Sequence, residues 1–319
     1  MTAARLVALA LAVVALLALP YWVPGIYYIN VGSQILFYAI FALGLNVLVG
    51  QAGLVSLGHA GLFGIASYAT AYILTLGYGH FAAIVVALLI GVLSSAIFAA
   101  LSLRSSGIGF IMITLALGQI LWGLAYRWIS LTNGDNGINV SGRPMPFGFT
   151  LNSAEAFYYA TLVVFLVSVA VVAIFVNSPF GAALAGTRDQ PRRMNALGYH
   201  VWMIRFWACM VSGLLTSVSG ILFVYYTQFI SPQTLALTAS AEVLLMVIAG
   251  GPASLLGPIV GAALVVIVKT VVSGFLERWN FLLGAIFVAI VIFMPDGLVP
   301  GTQRLWRKLR GRFGNERAP

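Results

Sequence analysis

Charged residues are scarce in this chain of 319 residues, of which 7% are Asp, Glu, Lys or Arg and 61% are apolar. A soluble domain carries about 25% charged residues. Between Arg5 and Arg104, 98 consecutive residues include none of these four types. Such a run cannot form a water-facing surface, but it is long enough for about four membrane spans of roughly 20 residues. The sequence therefore excludes a soluble enzyme, a secreted disulfide scaffold and a disordered tail, and it predicts a polytopic integral membrane protein.

Motifs for catalysis and for metal binding are also missing. The single cysteine, Cys209, cannot form an internal disulfide, and we interpret it as a small buried hydrophobe. The chain has two lysines and no G-x-x-x-x-G-K-[ST] motif, so it has no P-loop for a nucleotide phosphate. No His-Glu-x-x-His, Cys-x-x-Cys or paired-carboxylate motif occurs, and His59, His80 and His200 lie in separate segments. We expect no catalytic residue, no metal and no cofactor.

Apolar runs without strand-like alternation predict helices, and the breaks between them fall at glycine and proline clusters. The first run resembles a secretory signal peptide, but no convincing cleavage site follows, so we interpret it as a retained span. The sequence thus predicts an all-α fold of about ten transmembrane helices. The predicted spans are 6–23, 30–49, 53–76, 81–103, 108–127, 156–177, 206–228, 238–250, 257–275 and 279–294.

The positive residues orient these ten spans. With both termini in the cytoplasm, the inside segments hold twelve Lys or Arg residues and the outside segments hold three, a clear positive-inside bias. Six of the twelve lie in the C-terminal tail from Arg304, which we interpret as an anchor near anionic lipid, with a partner site as the alternative. The net charge of +9 therefore indicates orientation, and we expect no nucleic-acid partner.

Two glycine-rich segments, Gly50–Gly64 and Gly250–Gly261, interrupt apolar helices and start 200 residues apart. An ungapped alignment of 42–61 with 242–261 has four identical positions, a weak sign of an internal repeat. Unwound backbone at membrane depth is tolerated only beside protein or an aqueous path, so paired interruptions indicate a translocation route. The alternative is close helix packing through small residues, which Gly257-x-x-x-Gly261 also fits.

Two ionisable residues, Glu242 and Lys269, fall inside predicted spans. Counting residues from the breaks at Gly251 and Gly257 places them about 13 Å and 18 Å deep, at 1.5 Å per residue. A lysine side chain can close that difference, so we hypothesise a buried ion pair, because intramembrane charges are candidates for function. Lys269 could instead reach the membrane surface, and Glu242 could make a packing hydrogen bond or cap a helix.

The one long internal loop, 178–205, has the pattern of a short helix. Ser178 is a typical N-cap, and Pro179 follows at the first helical position. The pattern is disturbed at Pro191 and ends at Gly198. A short amphipathic helix of this kind can dock into a groove on a partner. The alternative is a plain solvated connector.

Four segments carry a resemblance to a known family: 44–64, 107–119, 178–198 and 242–262, together with 294–298 at the end of the last span. In these segments the chain resembles the LivM-type permease subunit of the branched-chain amino-acid ABC importers, and the resemblance covers nearly its whole length from about residue 30. Departures from the family pattern occur at Asn133 and Asp135 in the external turn, at Ala253, and at Gln190 and Met194 in the internal loop.

The resemblance implies an all-α permease domain over 1–303 and a basic cytosolic tail over 304–319. It also implies two cytosolic ATPase subunits, a related second permease subunit and an extracytoplasmic substrate-binding protein as partners, in addition to membrane lipid. The expected location is a bacterial-type plasma (inner) membrane, multi-pass with both termini cytoplasmic. The internal loop then becomes the ATPase coupling loop, with Arg188, Asp189 and Gly198 as its candidate residues.

The leading hypothesis is a permease for hydrophobic amino acids, without enzymatic activity of its own. For His59, hydrogen-bonded packing is the alternative to substrate contact. A urea or short-amide ABC permease, an ion-coupled secondary transporter using Glu242 and Lys269, and a polytopic membrane enzyme are the other function classes considered. The candidate residues of the translocation path are Ser56, His59, Thr114, Gln119 and Glu242.

Overall fold

The structure is a computed structural model that describes residues 14–20, 22, 25–140, 142–143, 151, 153–252, 254–272, 274, 279–294 and 296–302. The predicted first span, 6–23, is described only at residues 14–20 and 22, which are helical. The basic tail 304–319 lies outside the described residues, as do Arg278 and Ala253.

The described chain is almost entirely helical, which confirms the predicted all-α class. Two short strands, β1 (Ile138–Asn139) and β2 (Phe229–Ile230), pair antiparallel. The helices are α1 (Ile26–Asn46), α2 (His59–Thr75), α3 (His80–Ser102), α4 (Ile108–Arg127), α5 (Ile129–Thr132), α6 (Ala154–Asn177), α7 (Pro179–Asp189), α8 (Pro191–Ala196), α9 (Val201–Thr227), α10 (Leu237–Gly250), α11 (Gly257–Ile267) and α12 (Trp279–Phe293). Helices α1 and α11 continue as π-helical turns over Val47–Ala52 and Val268–Val272.

Length and apolar character make several of these helices candidates for crossing a membrane. Among the described residues five qualify, and α10 and Gly257–Thr270 are shorter apolar helices. The five are Ile26–Ala52, His80–Ser102, Ile108–Arg127, Ala154–Asn177 and Val201–Thr227. A helix also covers most of each predicted span from 30–49 onward.

The predicted span 53–76 is wrong at its beginning. Residues 53–58 are not helical, and α2 begins only at His59. The chain turns at Gly53, whose φ of +68° lies in the left-handed region that glycine adopts without a steric penalty. Apolar composition alone could not reveal this, because a buried extended segment is as apolar as a helix.

Helix α9 is the centre of the described bundle and packs against α1, α2 and α3. Helix α1 also packs against α6 and α11, and α2 packs against α3 and α4. Large fully buried side chains fill the space between these helices, among them Phe37, Tyr158 and Tyr225. The ends of α1, α2 and α9, where the segments described below begin, therefore have fixed positions relative to one another.

The coupling-loop helices form as the sequence predicts. The Ser178 hydroxyl accepts a hydrogen bond from the Gly181 amide, and Pro179 occupies the first turn of α7. Helix α7 ends at Gln190, which is not helical, and helix α8 follows. Gly198 (φ +86°) lies just beyond the end of α8.

The segment between α4 and α6 is tied to the bundle by the β1–β2 pair, in which Ile138 faces Ile230. Asn133 adopts a left-handed conformation (φ +60°), and its side-chain amide donates to the Gly137 carbonyl at 2.9 Å. Asparagine tolerates this conformation better than most residues, so the departure from a glycine-rich turn at this position is accommodated.

Helices α10 and α11 approach each other through glycines. A Cβ added at Gly261 would overlap the carbonyl oxygen of Met246, and one added at Gly250 would overlap the carbonyl of Gly257. Side chains at these positions would push the backbones apart. The packing alternative for the second glycine-rich segment is therefore present in the structure, alongside its interruption of the helix.

We predict that Gly261→Ala lowers the free energy of unfolding by about 1–3 kcal/mol, the usual effect of overpacking. The measurement is thermal unfolding of the detergent-purified protein by intrinsic tryptophan fluorescence. Gly123→Ala on α4 is the matched control, because nothing lies within 4 Å of its added Cβ. Equal melting temperatures for the two variants would contradict the predicted close approach.

Candidate functional site

The first break, residues 53–58, is a non-helical segment between α1 and α2, and hydroxyl side chains accept hydrogen bonds from the backbone amides at its end. The Leu57 amide donates to Thr114 Oγ1 on α4 at 3.3 Å. The Ala60 amide, in the first turn of α2, donates to Ser240 Oγ on α10 at 3.0 Å. Backbone amides that have no partner within a helix are thus satisfied by side chains of two neighbouring helices, as a membrane interior requires.

His59, which begins α2 directly after this break, is buried, with 3% of its surface exposed. Its Nδ1 lies 2.8 Å from Ser56 Oγ and its Nε2 lies 2.8 Å from Ser212 Oγ. The Ser212 hydroxyl donates to the Gly44 carbonyl at 2.6 Å, so its oxygen remains to accept the histidine proton. A neutral imidazole with its proton on Nε2 satisfies every side chain in this series of hydrogen bonds. The series links the break to α1 and α9.

Three of the predicted path residues, Ser56, His59 and Thr114, lie together around a void of only about 20 Å³, next to Cys209. A space of this size holds one water molecule at most. In this conformation the three residues are therefore part of the packed interior. Cys209 is buried, as its apolar surroundings in the sequence predict.

A much larger cavity, of about 380 Å³, contains the fourth predicted residue, Glu242. It lies between α1, α2, α9 and α10, beneath the turn Pro232–Leu235 that follows β2. Its aromatic and polar lining residues are Tyr38, Phe41, Phe63, Phe223, Gln233, Thr234, Thr238, Glu242 and Lys269. Gln119, the fifth predicted residue, lies half-buried on α4 and does not occur among the described residues that line either cavity.

Glu242 and Lys269 meet at the edge of this cavity. Lys269 Nζ lies 2.9 Å from Glu242 Oε2 and 3.1 Å from Oε1. Glu242 lies in the second turn of α10, and Lys269 lies in the π-helical turn that ends α11. Their side chains are 21% and 39% exposed, so both charges remain accessible from the cavity.

The floor of the cavity is closed. Met246 and Val247, one turn beyond Glu242 on α10, are 1% and 0% exposed. Beyond them, α10 and α11 are in close contact at Gly250 and Gly257. The cavity therefore has no open passage toward the second break.

The two breaks lie against each other. The second break separates α10 from α11 by six residues, the same length as the first. The Asn46 side-chain amide donates to the Ser254 carbonyl at 3.3 Å. A Cβ added at Gly50 would overlap the Pro252 carbonyl oxygen. The two glycine-rich segments thus form one contact, although they lie 200 residues apart in the sequence.

The internal loop reaches the π-helical turn before the first break through Arg188. Its Nη1 donates to the Gly50 carbonyl at 2.6 Å, and its Nε pairs with Asp189 at 2.8 Å. Arg205, at the beginning of α9, donates to the Thr187 carbonyl at 2.6 Å. The side chains of Arg188 and Asp189 are 39% and 63% exposed, so this end of α7 lies on the surface of the protein.

Sequence reasoning did not identify several residues of this arrangement. Ser240 and Arg205 gave no motif, and the aromatic lining belongs to helices that are apolar on every side. A signal did exist on α9, where Ser212, Thr216 and Ser219 recur at the spacing of one helix face. All three are fully buried.

Comparison with known proteins gives one family. Residues 27–291 match the family model described as branched-chain amino acid transport system / permease component. The chain is 27% identical over 314 residues to the high-affinity branched-chain amino acid transport system permease protein LivM of Salmonella typhimurium, covering 91% of this chain and 74% of that protein. The LivM protein of Escherichia coli matches with the same identity and coverage. No solved structure gives a significant match.

We predict that Ser240→Ala lowers the free energy of unfolding by about 1–3 kcal/mol, because it leaves the buried Ala60 amide without an acceptor. Thermal unfolding in detergent measures the change. Ser94→Ala is the matched control, because the Ser94 hydroxyl donates only to the Ile90 carbonyl of its own helix. An equal effect of the two substitutions would contradict a structural role for the Ser240 hydroxyl.

Proposed function

Because this chain belongs to the family of permease components of branched-chain amino acid transport systems, we propose that it is the membrane-spanning subunit of an ATP-driven, binding-protein-dependent importer. The proposed substrates are branched-chain amino acids, because the names of both LivM relatives describe a branched-chain amino acid transport system. The proposed partners are two cytosolic ATPase subunits, a related second permease subunit and an extracytoplasmic binding protein.

The absence of a P-loop from the sequence fits a complex in which separate subunits bind and hydrolyse ATP. A permease without a nucleotide site needs a mechanical connection to the subunits that hydrolyse ATP. Helix α7 supports such a role, because it is short, begins with a capped first turn and carries exposed charges at its end. Its candidate contact residues are Arg188 and Asp189, and Gly198 marks the end of the loop helices.

The observation that carries the proposal is the hydrogen bond from Arg188 to the Gly50 carbonyl. This bond joins the loop helix to the π-helical turn Val47–Ala52, which ends α1 directly before the first break. A displacement of α7 by an ATPase would therefore act directly on the first break. Since Gly50 contacts Pro252, the second break would move with it.

The positions of these elements support the proposed orientation. The coupling loop and the two breaks lie at one end of the bundle, the end of α1 opposite Ile26. The β1–β2 pair and the turn above the cavity belong to the other side of α9 and α10. With the coupling loop in the cytoplasm of a bacterial-type cell, the cavity would face the side from which a binding protein delivers substrate.

We propose that the path runs from this cavity past the packed cluster of Ser56, His59 and Thr114. The cluster would open when the first break moves, since Ser56 belongs to the break and His59 begins the next helix. Gln119 and Glu242 would contact the path on its two sides.

Reconstitution with the partner chains tests this function. We expect leucine and valine, presented with the binding protein, to stimulate ATP hydrolysis and to be taken up into proteoliposomes. Stimulation by urea alone would instead favour a urea or short-amide permease. Uptake without the ATPase subunits would favour an ion-coupled secondary transporter, and an absence of stimulation by any substrate would contradict the assignment.

In the same preparation, we predict that Arg188→Ala reduces leucine-stimulated ATP hydrolysis and uptake about tenfold. A hydrogen bond to a charged group contributes roughly 1.5–3 kcal/mol, and 1.4 kcal/mol corresponds to a factor of ten. The matched control is Arg192→Ala, which removes an exposed arginine of the same loop. Wild-type coupling in Arg188→Ala, with assembly confirmed by copurification of the ATPases, would contradict the proposed connection.

A further inference from the structure

The cavity at Glu242 combines two opposite charges with an aromatic wall. The anion and the cation lie 2.9 Å apart, and both line the cavity. An α-amino acid carries its own cation and anion on neighbouring atoms, so it can form one ion pair with each partner. We propose that this cavity binds a single α-amino acid with an apolar side chain, its carboxylate at Lys269 and its ammonium group at Glu242. This proposal rests on the proposed function and assigns a substrate site within it.

The aromatic wall supplies the apolar part of the site. Phe41 and Phe63 stack with ring centroids 4.7 Å apart, and Phe223 lies 5.2 Å from Phe63. Phe41 and Phe63 are 2% and 3% exposed, so only a small part of each ring faces the cavity that they line. A branched aliphatic side chain placed against them would lose its contact with water, the usual source of affinity in such pockets.

The volume of the cavity fits one small ligand. About 380 Å³ lies at the lower end of the range of roughly 300–1,000 Å³ for small-molecule sites. The open side carries the polar side chains of Gln233 and Thr238, which are exposed. A charged pair in a membrane-spanning protein faces a water-filled space or protein rather than lipid, so this side is where a ligand would enter.

The ion pair also gives a reason for selectivity. Without a ligand, Glu242 and Lys269 neutralise each other. A zwitterion can pair with both residues at once, whereas a ligand with one charge can replace only one of the two contacts that it separates, which is costly. Urea has no charge and no apolar group, so it can neither exchange with the pair nor use the aromatic wall.

The experiment uses the assembled complex without nucleotide in lipid nanodiscs. Cys209 is the chain's one cysteine, so a Cys209→Ser background allows a single reporter, Thr238→Cys, at the cavity. The measured quantity is the rate of modification by a charged methanethiosulfonate reagent across a leucine concentration series. We expect saturating leucine to slow the modification about tenfold or more, and 4-methylpentanoate or 3-methylbutylamine, which each lack one charge, to slow it little.

Variants assign the two charges. Glu242→Gln and Lys269→Met should each abolish the protection by leucine. If either fails to assemble, the double variant Glu242→Lys/Lys269→Glu keeps an ion pair and should keep protection, because a zwitterion can bind in the reversed orientation. The control reporter is Tyr78→Cys, at an exposed turn between α2 and α3, where leucine should give no protection.

The outcomes separate this proposal from the proposed function. Equal protection by leucine and its singly charged analogues would overturn the zwitterion site. So would an absence of protection in a complex whose ATP hydrolysis responds to leucine, and the proposed function would then stand. Protection by leucine in a complex that shows no leucine-stimulated hydrolysis would support the site and contradict the ATP-driven import.

Discussion

Backbone amides and carbonyls that leave a helix at membrane depth lose their partners within the helix, and two six-residue breaks create this problem twice. Side chains of neighbouring elements supply part of the missing partners. Thr114 and Ser240 accept from the backbone around the first break, and Arg188 donates to the Gly50 carbonyl in the π-helical turn before it. Asn46 donates to the second break. The helices that supply these groups must therefore keep their positions for the breaks to exist.

This requirement explains why the breaks, the buried histidine and the coupling loop form one connected region. His59 links the beginning of α2 to Ser212 on α9, and Ser212 continues the chain to Gly44 on α1. Arg188 and Arg205 connect the same region to the loop helices. The end of α7 is thus connected by hydrogen bonds to the region in which α1, α2 and α9 meet.

The cavity lies on the other side of this region and follows different chemistry. Its two charges form an ion pair, and its wall is aromatic. Helices α10 and α11 serve both parts, because Glu242 and Lys269 belong to the cavity while Gly250 and Gly257 belong to the closed end. A change in the packing of these two helices would therefore change the positions of Glu242 and Lys269 at the cavity.

Much of this arrangement could be predicted from residues whose chemistry is local. The run of 98 uncharged residues required membrane helices, and the Ser178–Pro179 pair required a helix beginning there. The glycine-rich pattern predicted an interruption within 50–64, but not that residues 53–58 would be its non-helical part, because glycine permits unwinding without requiring it. The contact of Ser212 with His59 joins residues 153 positions apart, and the aromatic wall comes from helices with no polar face to orient them.

Formation of one disulfide tests the contact between the coupling loop and the first break most directly. A Cβ placed at Gly53 lies 3.6 Å from the Cβ of Arg188, within the range of about 3.5–4.5 Å for a disulfide. In a Cys209→Ser background, the pair Gly53→Cys and Arg188→Cys should cross-link under mild oxidation, whereas Gly53→Cys with Arg192→Cys should not. Two thiols at 53 and 188 that each react with a maleimide and yet form no disulfide would contradict the contact.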